Sequence, residues 1–149
     1  MEPFDSYKGK GKKELGRLGG GTCRRGYGLR LQRKTGQTRC AYCGLSLVDC
    51  YEHWLLMSVD HVVPVAAGKK KGIREDWLYD MANSVLCCSA CNSFRNTWKL
   101  SGGEPVPDTF GKFAELRDRV FSRRKGKILE RHQEEKGFFG GKPWERKEE

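Results

Sequence analysis

Apolar residues are unevenly spread along the chain, and their spacing changes from one stretch to the next. From Met1 to about Thr38, Gly, Lys and Arg dominate (Gly9-Lys-Gly-Lys-Lys-Glu-Leu-Gly-Arg-Leu-Gly-Gly-Gly21), with too few apolar positions to specify a buried element. This predicts an arm with little fixed structure. Its later part, Tyr27-Gly-Leu-Arg-Leu31, alternates apolar and polar and suits a short strand or a segment lying against the core. Trp54-Leu-Leu-Met-Ser-Val-Asp-His-Val-Val-Pro64 becomes β-branched toward its end, which predicts a strand running into His61 and stopping at Pro64. Lys69-Lys-Lys-Gly72 marks a loop, Trp77 to Met81 a short helical or turn element, and Ser84-Val-Leu-Cys-Cys88 a second short strand. Ser89 is placed to cap a helix with Ala90, Phe94 and Trp98 on one face. Gly102, Gly103, Pro105 and Pro107 break the chain, and Asp108 or Thr109 can cap a further helix. Phe113, Leu116, Val120, Phe121, Ile128 and Leu129 form an apolar stripe, interrupted by Gly126, that predicts a helical region packed on the core.

These elements divide the chain into a basic, flexible arm (1–39), a core (40–103) and a C-terminal helical extension (104–149). A length of 149 residues allows one such core, and 37% hydrophobic against 32% charged residues predicts that it is small. No stretch approaches the roughly 20 apolar residues of a membrane span, and the N-terminus has no apolar signal segment, so a cytosolic protein is expected.

Charge sharpens the division. The arm carries 11 Lys and Arg against 3 acids, the core 6 against 6, and the extension 12 against 10. A basic arm on a neutral centre suits nucleic-acid binding, because each phosphate contact releases counterions. Lys12, Lys13, Arg24 and Arg25 are its candidate phosphate contacts; a solvated tail that aids solubility is the alternative.

Seven cysteines in a reducing compartment are thiols before they are disulfides. Cys40-Ala-Tyr-Cys43 and Cys88-Ser-Ala-Cys91 are separated by 44 residues. Two residues between cysteines let both sulfurs reach one ion, and two such knuckles complete the tetrahedral shell that zinc prefers. Four thiolates leave no open position, so this zinc is expected to be structural, with its binding energy part of folding. Cys87 could replace Cys88 only by giving up the two-residue spacing. Cys50-Tyr-Glu-His53 offers another ligand pair, though Cys23, Cys50, Cys87 and His53 are read as ordinary residues.

Cys40-x-x-Cys-Gly44, Val59-Asp-His-Val-Val-Pro64 and Asn83-Ser-Val-Leu-Cys-Cys-x-x-Cys-Asn-Ser93, in this order and spacing, resemble the HNH endonuclease family with inserted zinc knuckles, over about residues 40 to 98. The resemblance implies an α+β chain with a ββα-metal core: two short antiparallel strands and a helix framing one divalent cation. It makes His61 the general base, Asp60 and Asn96 the cation's ligands, and Asn83 the residue that fixes the loop between the strands. A carboxylate and an amide oxygen suit magnesium or manganese, which keep open positions for water and phosphate. Neutral imidazole can take a proton from water near pH 7, the cation can stabilise the departing 3′-oxygen, and the products would carry 5′-phosphate and 3′-hydroxyl ends. The family often has His at its last motif position, where this chain has Asn96. Arg95 beside it is a candidate clamp for the scissile phosphate, or simply a solvated Arg.

Adjacent residues on a strand point to opposite faces, so a twist, bulge or strand end near residue 60 is required to bring Asp60 and His61 together. The expected function is hydrolysis of DNA phosphodiester bonds. The alternative is a zinc-stabilised nucleic-acid-binding module without the reaction, which has no use for a base and two oxygen ligands held together. Asn92 is read as a hydrogen bonder at the helix start.

Overall fold

The structure, a computed structural model, describes Phe4, Leu15, residues 23–94 and residues 103–140. Lys12, Lys13, Arg95, Asn96 and Trp98 lie outside the described residues.

The first described helix, α1 (Tyr27–Thr35), replaces the expected strand in the later part of the arm. The alternating stretch is compatible with either period, and the helical one wins because it places Tyr27 and Leu31 one turn apart, both buried in the core. Leu29, which a strand would have buried with them, is only half-buried. The helix ends at Gly36, whose φ of 69° is the left-handed conformation that glycine adopts freely. Gly28 meets the first strand so closely that a Cβ there would stand 2.4 Å from the Met57 Cε. A second contact on the same face is the 3.1 Å hydrogen bond between the Tyr27 and Ser84 hydroxyls.

After a short helix α2 (Tyr51–Trp54), strand β1 covers Met57–His61. Trp54, expected at the head of the strand, thus closes the helix before it. The connection carries helix α3 (Val65–Lys70), helix α4 (Glu75–Leu78) and a 3-10 turn, Met81–Asn83. Lys69 and Lys70, expected in a loop, form the last turn of α3, where cations are favoured; the chain turns at Gly72, with φ 83°. Strand β2 (Ser84–Cys88) returns antiparallel to β1, from Met57↔Cys88 to His61↔Ser84, one residue opposite one throughout. The pair therefore has no bulge that would bring Asp60 and His61 to one face.

Helix α5 (Ser89–Ser93) begins at once, and its cap is Cys88, whose Sγ accepts from the Cys91 amide, rather than Ser89. It is shorter than expected: Phe94 is already extended, with ψ 118°. Helix α6 (Phe110–Phe138) is capped by Thr109, whose Oγ1 accepts from the Lys112 amide at 3.2 Å. It runs through Gly126 without a break. A glycine costs a helix about 1 kcal/mol relative to alanine, less than burying Phe113, Leu116, Val120, Phe121 and Ile128 contributes. Leu129, counted in the stripe, is instead exposed. No helix among the described residues is long and apolar enough to cross a membrane. The chain is a small α+β protein with a two-stranded antiparallel sheet.

Candidate metal centre and the strand pair beside it

The four knuckle cysteines gather. Cys40 and Cys43 occupy a tight turn closed by Gly44 at φ 78°, with Cys40 N–H donating to Leu45 O at 2.8 Å and Gly44 N–H to Cys40 O at 3.0 Å. Ala41 N–H donates to Leu86 O at 3.0 Å and so ties this turn to β2, at whose end Cys88 sits, with Cys91 one turn into α5. In each knuckle the second cysteine's amide donates to the first one's sulfur at 3.5 Å. All four sulfurs lie within 4.8 Å of one another, and those of Cys43 and Cys88 are 3.7 Å apart. Zinc–sulfur bonds of about 2.3 Å place tetrahedral sulfurs roughly 3.8 Å apart, so the set fits a zinc ion. Hydrogen bonds from the Cys88 and Cys91 thiols lower the Cys40 thiol's pKa and so favour its ionised form. A bound cation would favour the same ionised form in its neighbours.

Cys88, not Cys87, is the member from the second strand. Neighbours on a strand face opposite sides, and Cys87 shares the face of Ser58 and Asp60. Its thiol is pushed up by burial and then by the Asp60 charge, as for an inert core cysteine. His132 of α6 belongs to none of the sequence motifs, yet its Nε2 stands 3.2 Å from the Cys91 sulfur, and its ring meets Phe94 edge-on at 4.8 Å.

The residues expected to do chemistry are arranged differently. Asp60 and His61 meet different neighbours, as the unbroken ladder requires. The Asp60 carboxylate accepts from the Tyr42 hydroxyl and is ion-paired with Arg124 of α6, with Nη1 2.7 Å from Oδ2 and Nη2 3.4 Å from Oδ1. Arg124 Nη1 also reaches His61 O at 3.0 Å and Val62 O at 2.8 Å. Both side chains are nearly buried, Asp60 at 12% and Arg124 at 11% exposure, so the attraction between them is little screened. Burial, followed by the Asp60 charge, raises the Tyr42 hydroxyl's pKa and keeps it a donor.

His61 packs edge-on against Tyr79 at 5.7 Å, and its Nε2 is buried without a partner. Burial lowers its pKa against the opposing pull of Asp60, so the imidazole is neutral near pH 7.

Asn83 closes the connection between the strands. Its Oδ1 accepts from Val63 N–H, and its Nδ2 donates to Val63 O and Leu78 O, each at 2.9 Å, with the side chain fully buried. Asn92 donates from Nδ2 to Ser58 Oγ at 2.9 Å, pinning α5 to β1. In the arm, Arg24 donates to Leu55 O at 3.2 Å, while Arg25 is exposed.

Two groups of three or more metal-ligating side chains are found among the described residues, the four cysteines and Asp49, Cys50 and His53. Asp60 belongs to neither. Of the two ligands expected for magnesium or manganese, Asp60 is paired with the Arg124 guanidinium, and Asn96 lies outside the described residues. Arg124 and His132 carried one sequence signal: both fall at helical spacing on the buried stripe of α6, with Phe121 and Ile128.

Compared with protein-family profiles, with curated proteins and with solved structures, the chain gives no match. What stands on its geometry is a small α+β fold with a four-cysteine cluster that could hold a structural zinc.

Proposed function

We propose that the protein is a nuclease of the HNH type that hydrolyses DNA phosphodiester bonds, with zinc as a structural ion and His61 as the general base. The observation that supports this reading best is the order of parts around the cysteine cluster. A knuckle precedes β1, β1 ends on Asp60-His61, Asn83 braces the return, and β2 delivers the second knuckle directly into a helix. Two antiparallel strands running into a helix, with a zinc knuckle inserted at each end, is the arrangement the HNH resemblance implies. His61, held neutral by burial, is in the protonation state a base requires, and its unpartnered Nε2 is buried, so the attacking water must be admitted to it when substrate binds. Its role is to accept the proton of the attacking water. DNA is the expected partner because the arm is strongly basic, and Arg25, Arg30, Arg33 and Lys34 stay exposed on and around α1.

One observation favours a second reading. Asp60, bound by Arg124 and Tyr42, is not placed as a cation ligand, which is what a zinc-stabilised DNA-binding module without the reaction would tolerate. Supercoiled plasmid nicking separates the two. The nuclease reading expects nicked product with magnesium or manganese, none with chelator, and 5′-phosphate ends; retained DNA binding with no cleavage in any metal leaves the binding module.

A further inference from the structure

The second cluster of donors lies in the turn before β1. Cys50 caps α2 in an extended conformation, φ −153° and ψ 163°, and the helix brings His53 one turn beyond Asp49. Asp49 Oδ1 and His53 Nδ1 are 2.7 Å apart, and the three donor atoms of Asp49, Cys50 and His53 lie within 4.8 Å of one another. Asp49 and Cys50 are exposed and His53 is half-buried, and none of the three belongs to the hydrophobic core, so packing does not account for their convergence.

We propose that Asp49, Cys50 and His53 form a second, solvent-open site for a divalent cation of the zinc class, separate from the four-cysteine cluster. The donor chemistry selects the ion. A thiolate with an imidazole and one carboxylate oxygen suits borderline cations such as zinc or cobalt, whereas magnesium and calcium favour oxygen shells. Three protein ligands leave at least one tetrahedral position for water, as in zinc sites that exchange ligands. Binding displaces the proton from Cys50 and replaces the Asp49–His53 hydrogen bond. Tetrahedral ligands of zinc stand roughly 3.3–3.8 Å apart, so Asp49 and His53 separate slightly, a change two side chains with solvent beside them can make through their rotamers. A site with three accessible ligands holds its ion more weakly than the closed cluster and loses it first to a chelator.

The test is equilibrium dialysis of the full chain against zinc at controlled free concentrations, with bound metal counted by mass spectrometry. Two steps are expected, one tight and one weaker, each of about one ion per chain. Cys50→Ser and His53→Ala should each remove the weaker step and leave the tight step and the far-ultraviolet spectrum unchanged. With cobalt, the second equivalent should add thiolate-to-metal absorption that Cys50→Ser lacks. His53→Gln provides the same comparison should the alanine variant lose solubility. A single step in the wild type, the same two steps in every variant, or displacement of the weaker ion by millimolar magnesium would each overturn the assignment.

Discussion

The two knuckles and the strand pair between them contain residues of comparable chemical promise, yet the fold treats them differently. Cysteines from the two ends of the core segment, Cys40 and Cys91 being the furthest apart in sequence, converge into one group whose sulfurs lie within 4.8 Å. Asp60 and His61, adjacent in the chain, are sent to different neighbours: one to Arg124 and Tyr42, the other to Tyr79. Nearness in sequence is therefore a poor guide to nearness in a site. Two residues between ligands in a tight turn is a geometry in itself, reinforced in each knuckle by an amide–sulfur bond. Adjacency on a regular strand is a geometry too, and it separates.

The contrast is tested most severely by removing metal. Structural zinc in small domains contributes apparent free energies of about 10–16 kcal/mol, as large as the whole stability of an ordinary domain. Chelation, Cys40→Ser or Cys91→Ser should therefore leave largely unfolded protein by circular dichroism. A folded Cys40→Ser protein with unchanged metal content removes Cys40 from the set.

Arg124→Ala addresses the other side. It leaves the Asp60 carboxylate, 12% exposed, without its countercharge, and stripping one partner from a buried pair typically costs about 3–5 kcal/mol. Urea unfolding measures the loss, and adding Asp60→Asn should recover part of it. If manganese restores the stability of Arg124→Ala but does nothing for the Asp60→Asn double variant, then Asp60 can take a cation once the guanidinium is gone. No response to manganese would leave Asp60 a structural carboxylate.

His61→Ala is next. Under the nuclease reading it removes a base worth about 10²- to 10⁴-fold in rate, while the cluster keeps the fold. Equal nicking by wild type and variant, each free of contaminating nuclease, would remove His61 from the reaction. The smallest effect lies in α6, which links the two regions by placing Arg124 at Asp60 and His132 at Cys91. A Cβ at Gly126 would meet nothing within 4 Å, so Gly126→Ala should raise stability by about 0.5–1 kcal/mol. A fall in melting temperature instead would mean that α6 needs to bend there.

The amino-acid pattern alone determined what depends on local spacing. The two-residue spacing of each knuckle, a strand running into His61, a second over Ser84–Cys88, a cap at Asp108 or Thr109 and most of the buried stripe behind it are legible as local patterns, although Trp54 closes a helix rather than opening the first strand. Even Asn83 is legible as a loop residue, though its three hydrogen bonds are not. Only the tertiary structure decided that Tyr27–Leu31 is helical, since an alternating five-residue segment obeys two periods until Met57 and Ser84 offer it a surface. For Cys88 over Cys87, which the two-residue spacing favours, it supplied the physical reason: the strand's pleat gives the two residues opposite faces. Above all, it placed Arg124 against a carboxylate 64 residues earlier in the chain. No local pattern encodes such a partner: it depends on where a 29-residue helix docks, which the whole buried stripe decides rather than Arg124 itself.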